Sequence, residues 1–187
     1  MVLVVIACII IAIVLSLIIF LITIYNKYQM LIIKINKGED YIFNSLENKY
    51  NILLKYLDFF KDNITIDEED FEEYKLLNTK TNIDKLNTYV NNFNNLINRY
   101  MDNNEDLYKK DTIASLNDEL FNANLSINSS KNYYNNYVTK YNNQCHTFPS
   151  NIVAKIFKYK EKNIMNEDNI DGLKILNDND NEKNNED

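Results

Sequence analysis

The sequence predicts an all-α protein with three parts: a single N-terminal transmembrane helix, an antiparallel bundle of three to four long, coiled-coil-like helices, and a disordered acidic tail. Three observations predict it. The first 24 residues are almost wholly apolar, the following residues carry apolar side chains at helical spacing, and the 187 residues include only two Gly and one Pro. So few turn-forming residues favour long helices over strands and turns. We place the anchor at residues 1–24, the bundle at 25–160 and the tail at 161–187.

The anchor is predicted from residues 2–24, which contain no charged side chain. At about 1.5 Å per residue they span roughly 35 Å, enough to cross a hydrocarbon core of about 30 Å. Lipid offers no partner to backbone N–H and C=O groups, so the segment must be helical. A cleaved signal peptide is disfavoured because no basic residue precedes the stretch and no small-x-small site follows it. Lipidation of Cys8 is disfavoured because too little apolar sequence precedes it.

The charges beside the anchor predict its orientation. Lys27, Lys34 and Lys37 follow the apolar stretch, whereas only the terminal amine precedes it. The positive-inside rule therefore places the body in the cytoplasm. The expected location is the cell membrane, crossed once.

Three stripes of apolar residues predict the bundle helices, because their members are mostly three or four positions apart, or seven in the first stripe. Such stripes pack against each other with crossing angles near 20°, and short polar loops make successive helices antiparallel. The first stripe is Ile35, Ile42, Leu46, Leu53, Leu57 and Phe60; the second is Ile83, Leu86, Val90, Phe93, Ile97 and Tyr100; the third is Ile113, Leu116, Leu120, Ala123, Ile127, Ser130, Tyr134, Tyr137 and Tyr141.

The helix boundaries follow from breakers and caps. No Pro occurs before Pro149, so the anchor and the first body helix are expected to form one rod, with Gly38 costing about 1 kcal/mol relative to Ala. The acidic residues 67–70 mark the start of the second helix, with Thr65 or Asp67 as N-cap. After the third stripe, Pro149 ends the helix and Ser150 is the expected N-cap of a short apolar helix.

The charge distribution limits the function. The net charge of −7 lies mainly in residues 161–187, which hold nine acidic and three basic residues, whereas residues 25–160 hold 18 acidic and 17 basic residues. No basic patch is present to neutralise phosphates, so we expect no nucleic-acid partner. The two cysteines, Cys8 and Cys145, indicate no disulfide framework.

Three groups of residues are candidates for chemistry or recognition. Cys145 and His146 form the one adjacent pair of nucleophile and base, but neighbours in sequence rarely face each other and no orienting third group is evident. Four carboxylates near the second helix could bind a cation, although a solvated helix start explains them better. Four tyrosines of the third helix could form a recognition face, although core packing explains them better. The carboxylates are Glu68, Glu69, Glu72 and Glu73, and the tyrosines are Tyr133, Tyr134, Tyr137 and Tyr141. We therefore predict no catalytic, cofactor-binding or metal-binding residue, no cofactor and no small-molecule substrate.

The C-terminal half carries a pattern that resembles the LemA family. The pattern is Tyr-Asn-x-x-Val-x-x-Tyr-Asn at residues 134–142, followed by Phe-Pro-Ser-Asn-x-x-Ala at residues 148–154. Tyr25-Asn26 after the anchor, Asn117-Asp118-Glu119-Leu120, Ile127 and Lys131 also stand where that family has similar residues. The resemblance runs from about Tyr25 to Lys160. It is weaker in the first body helix, where residues 52–56 stand in place of a family stretch that contains Pro.

The resemblance implies a helical bundle on one membrane anchor and no established chemistry. We expect a non-catalytic scaffold or partner-binding protein, whose partners are the lipid bilayer and other membrane proteins or further copies of itself. Two alternatives remain: an envelope-stress or membrane-organisation factor that acts with a membrane protease, and a hydrolase or metal-dependent enzyme.

Overall fold

The computed structural model of the chain describes residues 1–76 and 82–165, and within them every regular element is a helix. The α-helices are α1 (Val2–Asn63), α2 (Glu68–Phe71), α3 (Ile83–Asp102), α4 (Asp111–His146) and α5 (Ser150–Phe157), and two 3₁₀ helices span Glu72–Tyr74 and Glu105–Lys109. The all-α prediction is confirmed. The predicted disordered tail lies outside the described residues from position 166 onward.

Helix α1 is continuous through the predicted end of the anchor. Its large apolar side chains are exposed as far as Ile22, and Ile24 is the first that is buried. By length and composition α1 is the one helix in the described residues that is able to cross a membrane. Near the end of the apolar stretch, the Thr23 hydroxyl donates to the Ile19 carbonyl oxygen at 2.9 Å, so this polar side chain is satisfied within the helix.

The described chain divides into two compact units, and α1 and α4 contribute to both. The first unit comprises Met1–Gly38 and Asn132–Met165; the second includes Glu39–Lys131. In the first unit α1 and α4 are antiparallel, because Tyr28 contacts Gln144 whereas Gly38 faces Tyr134.

Gly38 allows α1 and α4 to approach closely. A Cβ atom at this position would lie 3.0 Å from both Cα and Cβ of Tyr134 and 3.3 Å from Cδ1 of Tyr133. Ordinary carbon contacts are about 3.5–4.0 Å. The residue that sequence analysis treats as a weak point of the helix is therefore one that the packing requires.

In the second unit α1 and α4 are again antiparallel. Ser45 Oγ lies 3.0 Å from Ser126 Oγ, and the Tyr56 hydroxyl donates to Asn117 Oδ1 at 2.6 Å. Both contacts lie beside the buried apolar stripes of α1 and α4, so they fix the register of the two helices. Burial raises the pKa of Tyr56, which keeps its phenol protonated as the donor.

Helix α3 runs in the same direction as α1, which differs from the expected alternation of successive helices. Lys49 Nζ donates to Asn91 Oδ1 at 3.2 Å, and eleven residues further along α1 the Phe60 ring lies 6.1 Å from the Tyr100 ring. Residue numbers of the contacting pairs therefore increase along both helices, as they do in parallel helices.

The physical reason is that the connection after α1 is itself part of the core. Phe71 and Tyr74 are buried, with the Phe71 ring 5.0 Å from Tyr100 and the Tyr74 ring stacked 4.7 Å from Phe93. Residue numbers increase from Phe71 to Tyr74 but decrease from Tyr100 to Phe93, so this part of the connection runs antiparallel to α3. The second helix predicted for the bundle is therefore α3, which starts at Ile83 with Asn82 as its N-cap. Asp67, one of the two predicted N-caps, caps only the short α2.

The buried residues follow the predicted stripes closely. All six members of the first stripe are buried, and so are four of the six in the second. In α4, Tyr137 is half-buried and Val138 is fully buried, so the prediction that Tyr137 continues the seam is wrong. The shift arises because a straight α-helix has 3.6 residues per turn, so a strict seven-residue repeat drifts around it.

Candidate functional site

The Tyr-Asn pattern of α4 forms a face with two distinct roles. Tyr134, Val138 and Tyr141 are buried in the first unit. Asn135 and Asn142 follow the two tyrosines and are half-buried beside the seam. They are seven positions apart, which brings both amides to the same side of the helix.

The two asparagines hold an extended segment of the chain against α4. Asn142 Nδ2 donates to the Lys162 carbonyl oxygen at 2.8 Å, and its Oδ1 accepts from the Lys162 N–H at 3.0 Å. Asn135 makes the same pair of bonds with Met165, at 2.7 and 2.9 Å. We call Asn135 and Asn142 the asparagine clamp. It contacts backbone atoms alone, so it fixes an extended segment regardless of that segment's side chains.

The clamped segment has further contacts with α4. The Tyr134 hydroxyl donates to the Asn163 carbonyl oxygen at 3.2 Å, and His146 Nε2 bonds Glu161 Oε1. Residues 161–165, which sequence analysis assigns to the tail, are thus held along the helix up to the last described position.

Tyr28 joins the end of α4 to the start of α5. Its hydroxyl donates to the Gln144 carbonyl oxygen at 2.7 Å and lies 3.3 Å from the Ser150 carbonyl oxygen. Gln144 belongs to the last turn of α4, where carbonyl groups have no partner within the helix. Burial raises the pKa of Tyr28, with a smaller contribution from the neighbouring Cys145, so the hydroxyl remains a donor.

Aromatic rings surround this junction. The Tyr28 ring lies 4.7 Å from Tyr159 and 5.7 Å from Tyr141, in tilted and edge-on geometries. The Tyr25 ring lies 4.8 Å from Phe157 at the end of α5. Aromatic pairs of this kind contribute about 0.5–1.5 kcal/mol each beyond their buried area. The rings therefore secure α5 and the clamped segment to the part of α1 directly after its apolar stretch.

The FPSN turn leads into α5 as the sequence predicts, but Ser150 is not its N-cap. Pro149 occupies the N-cap position without a side-chain hydrogen bond, and Ser150 is the first residue of the helix. At the other end, Lys158 adopts a left-handed conformation with φ 56°, and the Tyr159 N–H bonds the Ala154 carbonyl oxygen at 2.9 Å. This six-to-one bond is the Schellman pattern that turns the chain out of a helix.

Cys145 and His146 have different partners. Cys145 is half-buried beside Tyr28 and Tyr141, and burial raises the pKa of its thiol. The His146 side chain is exposed and bonds Glu161. Because the thiolate is the nucleophilic form, a raised pKa makes this cysteine less reactive.

The four candidate carboxylates lie on the surface of the second unit. Glu68 and Glu72 face Lys75, and Glu73 contributes its backbone carbonyl oxygen to the Tyr89 hydroxyl at 2.7 Å. Within residues 1–76 and 82–165, no group of three or more His, Cys, Asp or Glu side chains is arranged to hold a metal ion.

The four candidate tyrosines divide into two pairs. Tyr134 and Tyr141 are core residues, whereas Tyr133 and Tyr137 are half-buried and their rings lie 4.8 Å apart. Lys140 Nζ lies 5.0 Å from the centre of the Tyr137 ring, a cation–π geometry. The arrangement as a whole holds backbone segments and aromatic rings in place. Sequence reasoning missed Asn135 and Asn142 as functional positions because Asn is abundant throughout the chain; their place inside the Tyr-Asn pattern was the available signal.

The comparison with known proteins agrees with this part of the chain. A family model described as the LemA family matches residues 70–172, just over half of the 187 residues. The match includes the whole Tyr-Asn pattern, the asparagine clamp and the FPSN turn, and it leaves out α1, in which the sequence departs most from the pattern. No curated protein and no solved structure matches the chain.

Proposed function

Because the chain belongs to the LemA family, we propose that it is a single-span membrane protein whose helical body is a non-catalytic scaffold for other membrane proteins or further copies of itself. The proposal includes a membrane location with the body in the cytoplasm, as the lysines after the anchor favour.

The continuity of α1 carries the proposal. The apolar side chains up to Ile22 have no partner in the described structure, whereas Ile24, Tyr28, Leu31 and Ile35 are buried against the first unit. Exposed apolar surface on this scale supports a membrane environment for this part of α1. Since no break separates the two parts, the membrane span and the start of the body share one helix.

The contacts of the reactive side chains support a non-catalytic role. The thiol of Cys145 is half-buried and bonds the hydroxyl groups of Tyr28 and Tyr141. The imidazole of His146 bonds Glu161 in the clamped segment. Cys145 thus contributes to packing at the end of α4, and His146 holds the clamped segment through Glu161.

An open groove on the second unit is the surface we expect to contact a partner. It is lined by Asp70, Glu73, Asn92, Asn95 and Arg99 among others. Asp70 and Arg99 form an ion pair at 2.6 Å, and the asparagine amides offer donors and acceptors. Polar groups of this kind fit the rim of a transient interface.

Photo-crosslinking in intact membranes tests the proposal. A photoreactive residue at Asn95, in the groove, is compared with one at Asn122, on the exposed surface of α4. The proposal predicts covalent adducts with membrane proteins or with a second copy from Asn95, and fewer adducts from Asn122. Recovery of the protein in the soluble fraction after the membranes are sedimented would contradict the proposal, and so would the absence of adducts from Asn95. Adducts with a membrane protease would favour the protease-accessory alternative.

A further inference from the structure

Helix α5 and the turn before it expose four large apolar side chains. Phe148 is 75% exposed, Ile152 is 45%, Ile156 is 61% and Phe157 is 51%. We call these four residues the α5 surface. Ile152 and Ile156 are one helical turn apart and share a face, whereas Val153 and Ala154 are buried on another face. The helix is therefore apolar on its outer side as well as toward the core.

The α5 surface lies beside the end of the apolar part of α1. Phe157 contacts Tyr25, the residue directly after the apolar stretch, with ring centres 4.8 Å apart. The Tyr28 hydroxyl, one turn further along α1, lies 3.3 Å from the Ser150 carbonyl oxygen at the start of α5. If α1 crosses a bilayer, the α5 surface lies at the level where its hydrocarbon core ends.

The charges around α5 are mainly positive. Residues 150–165 contain four lysines and one glutamate. Lys155, Lys158 and Lys160 are exposed, and Lys27 is exposed on α1 two residues after Tyr25. A short helix with exposed apolar residues, flanking lysines and neighbouring aromatic rings has the composition of segments that lie in a membrane interface.

We infer that the α5 surface is inserted into the interfacial layer of the same membrane that α1 crosses, with its lysines bound to anionic lipid headgroups. The membrane is the occupant that both observations select, because the surface is continuous with the apolar part of α1 and the charges complement anionic lipid. Lipid contact buries apolar side chains that water would otherwise cover. The inference rests on the proposed membrane anchoring and adds a second lipid contact to it.

The absence of Trp from the sequence allows a direct test with the full-length chain. Single Phe148→Trp and Ile156→Trp variants are reconstituted into vesicles whose lipids carry bromine atoms either close to the headgroup or near the acyl-chain end. Ile13→Trp, in the middle of the apolar stretch, reports whether α1 is inserted. Tyr133→Trp is the matched control, since it lies about 20 Å along α4 from His146 at 1.5 Å per residue.

The inference predicts strong quenching of Phe148→Trp and Ile156→Trp by the bromines close to the headgroup, because interfacial helices lie about 5–10 Å deep at the boundary of headgroups and acyl chains. Ile13→Trp should be quenched by the deep bromines, and Tyr133→Trp by neither. Quenching at Ile13 without quenching at Phe148 and Ile156 would overturn the inference and leave the anchor intact. No quenching at Ile13 would overturn the proposed anchoring and the inference with it. Blue-shifted emission at Ile156 without lipid quenching would assign the surface to a protein contact and overturn the inference.

The charge contribution has its own test. In vesicles that contain anionic lipid, Lys155→Gln should lower the ratio of chains with the α5 surface inserted to chains with it in water about fivefold. This change is equivalent to about 1 kcal/mol per basic residue. In vesicles of zwitterionic lipid alone the same substitution should have no effect. An equal effect in both vesicles would overturn the role assigned to the lysines.

Discussion

Replacement of Gly38 by Ala tests the close packing of α1 against α4. In an ordinary helix this substitution stabilises by about 1 kcal/mol, because Ala has the higher helix propensity. Here the added Cβ would lie 3.0 Å from Tyr134 Cα and Cβ, about 0.5–1 Å inside normal contact. Since one of these atoms is backbone, relief requires that the helices move apart.

Overpacking of this kind costs about 1–3 kcal/mol, and a clash with backbone belongs in the upper part of that range. Subtracting the gain in helix propensity leaves a net loss of about 1–2 kcal/mol. For a chain of this size the melting temperature should fall by roughly 2–8 °C. Thermal unfolding of the purified chain in detergent, followed by far-UV circular dichroism, measures the change.

Asn36→Ala is the matched control, because Asn36 is exposed on the same helix two positions earlier. It gains helix propensity without a new contact, so its melting temperature should stay level or rise slightly. A Gly38→Ala variant that melts as high as the Asn36→Ala variant would refute the close approach of the two helices.

Three further predictions concern the end of α4, the end of α5 and alkaline pH. Asn142→Ala removes both hydrogen bonds to the Lys162 backbone, so exchange of the Lys162 amide should accelerate about tenfold, equivalent to about 1.4 kcal/mol, whereas Asn143→Ala should leave it unchanged. Lys158→Gly removes a left-handed non-glycine residue and should raise stability by about 1 kcal/mol in detergent melts; no change would contradict the strain at φ 56°. Burial raises the pKa of Tyr141 to about 12, so the folded state keeps a proton that the unfolded chain loses near pH 10, and stability should fall as the pH rises from about 10 to about 12; the decline should be smaller in Tyr141→Phe.

The apolar pattern predicted the helices because burial follows periodicity. Leu46, Leu53 and Phe60 are buried as their spacing in α1 predicts, and the predicted stripe of α4 is buried as far as Tyr134 except at Leu120, which is half-buried. The same periodicity does not specify which helix a stripe faces. The direction of α3 therefore depended on Phe71 and Tyr74, and two aromatic residues are too few to form a stripe.

The candidate site was harder to predict because its contacts join distant residues. Asn135 and Asn142 bind backbone atoms at positions 165 and 162. Every residue type carries these backbone atoms, so the residues at the two positions do not indicate the contact. Gly38 was read as a helix-weakening residue because a close approach is a property of two helices, and its partner Tyr134 lies 96 positions later. Local patterns reveal local structure, whereas the site consists of long-range contacts.

The central claim is that one uninterrupted helix serves both as membrane span and as bundle element. Spin labels at Ile13 and Asn36, with Cys8→Ala and Cys145→Ala in the background, report the distance across the end of the apolar stretch in vesicles. Their separation of 23 positions corresponds to about 35 Å along a continuous helix. The account predicts a single narrow distribution near that value. A broad distribution, or one centred well below it, would show a hinge at the membrane surface and contradict the account.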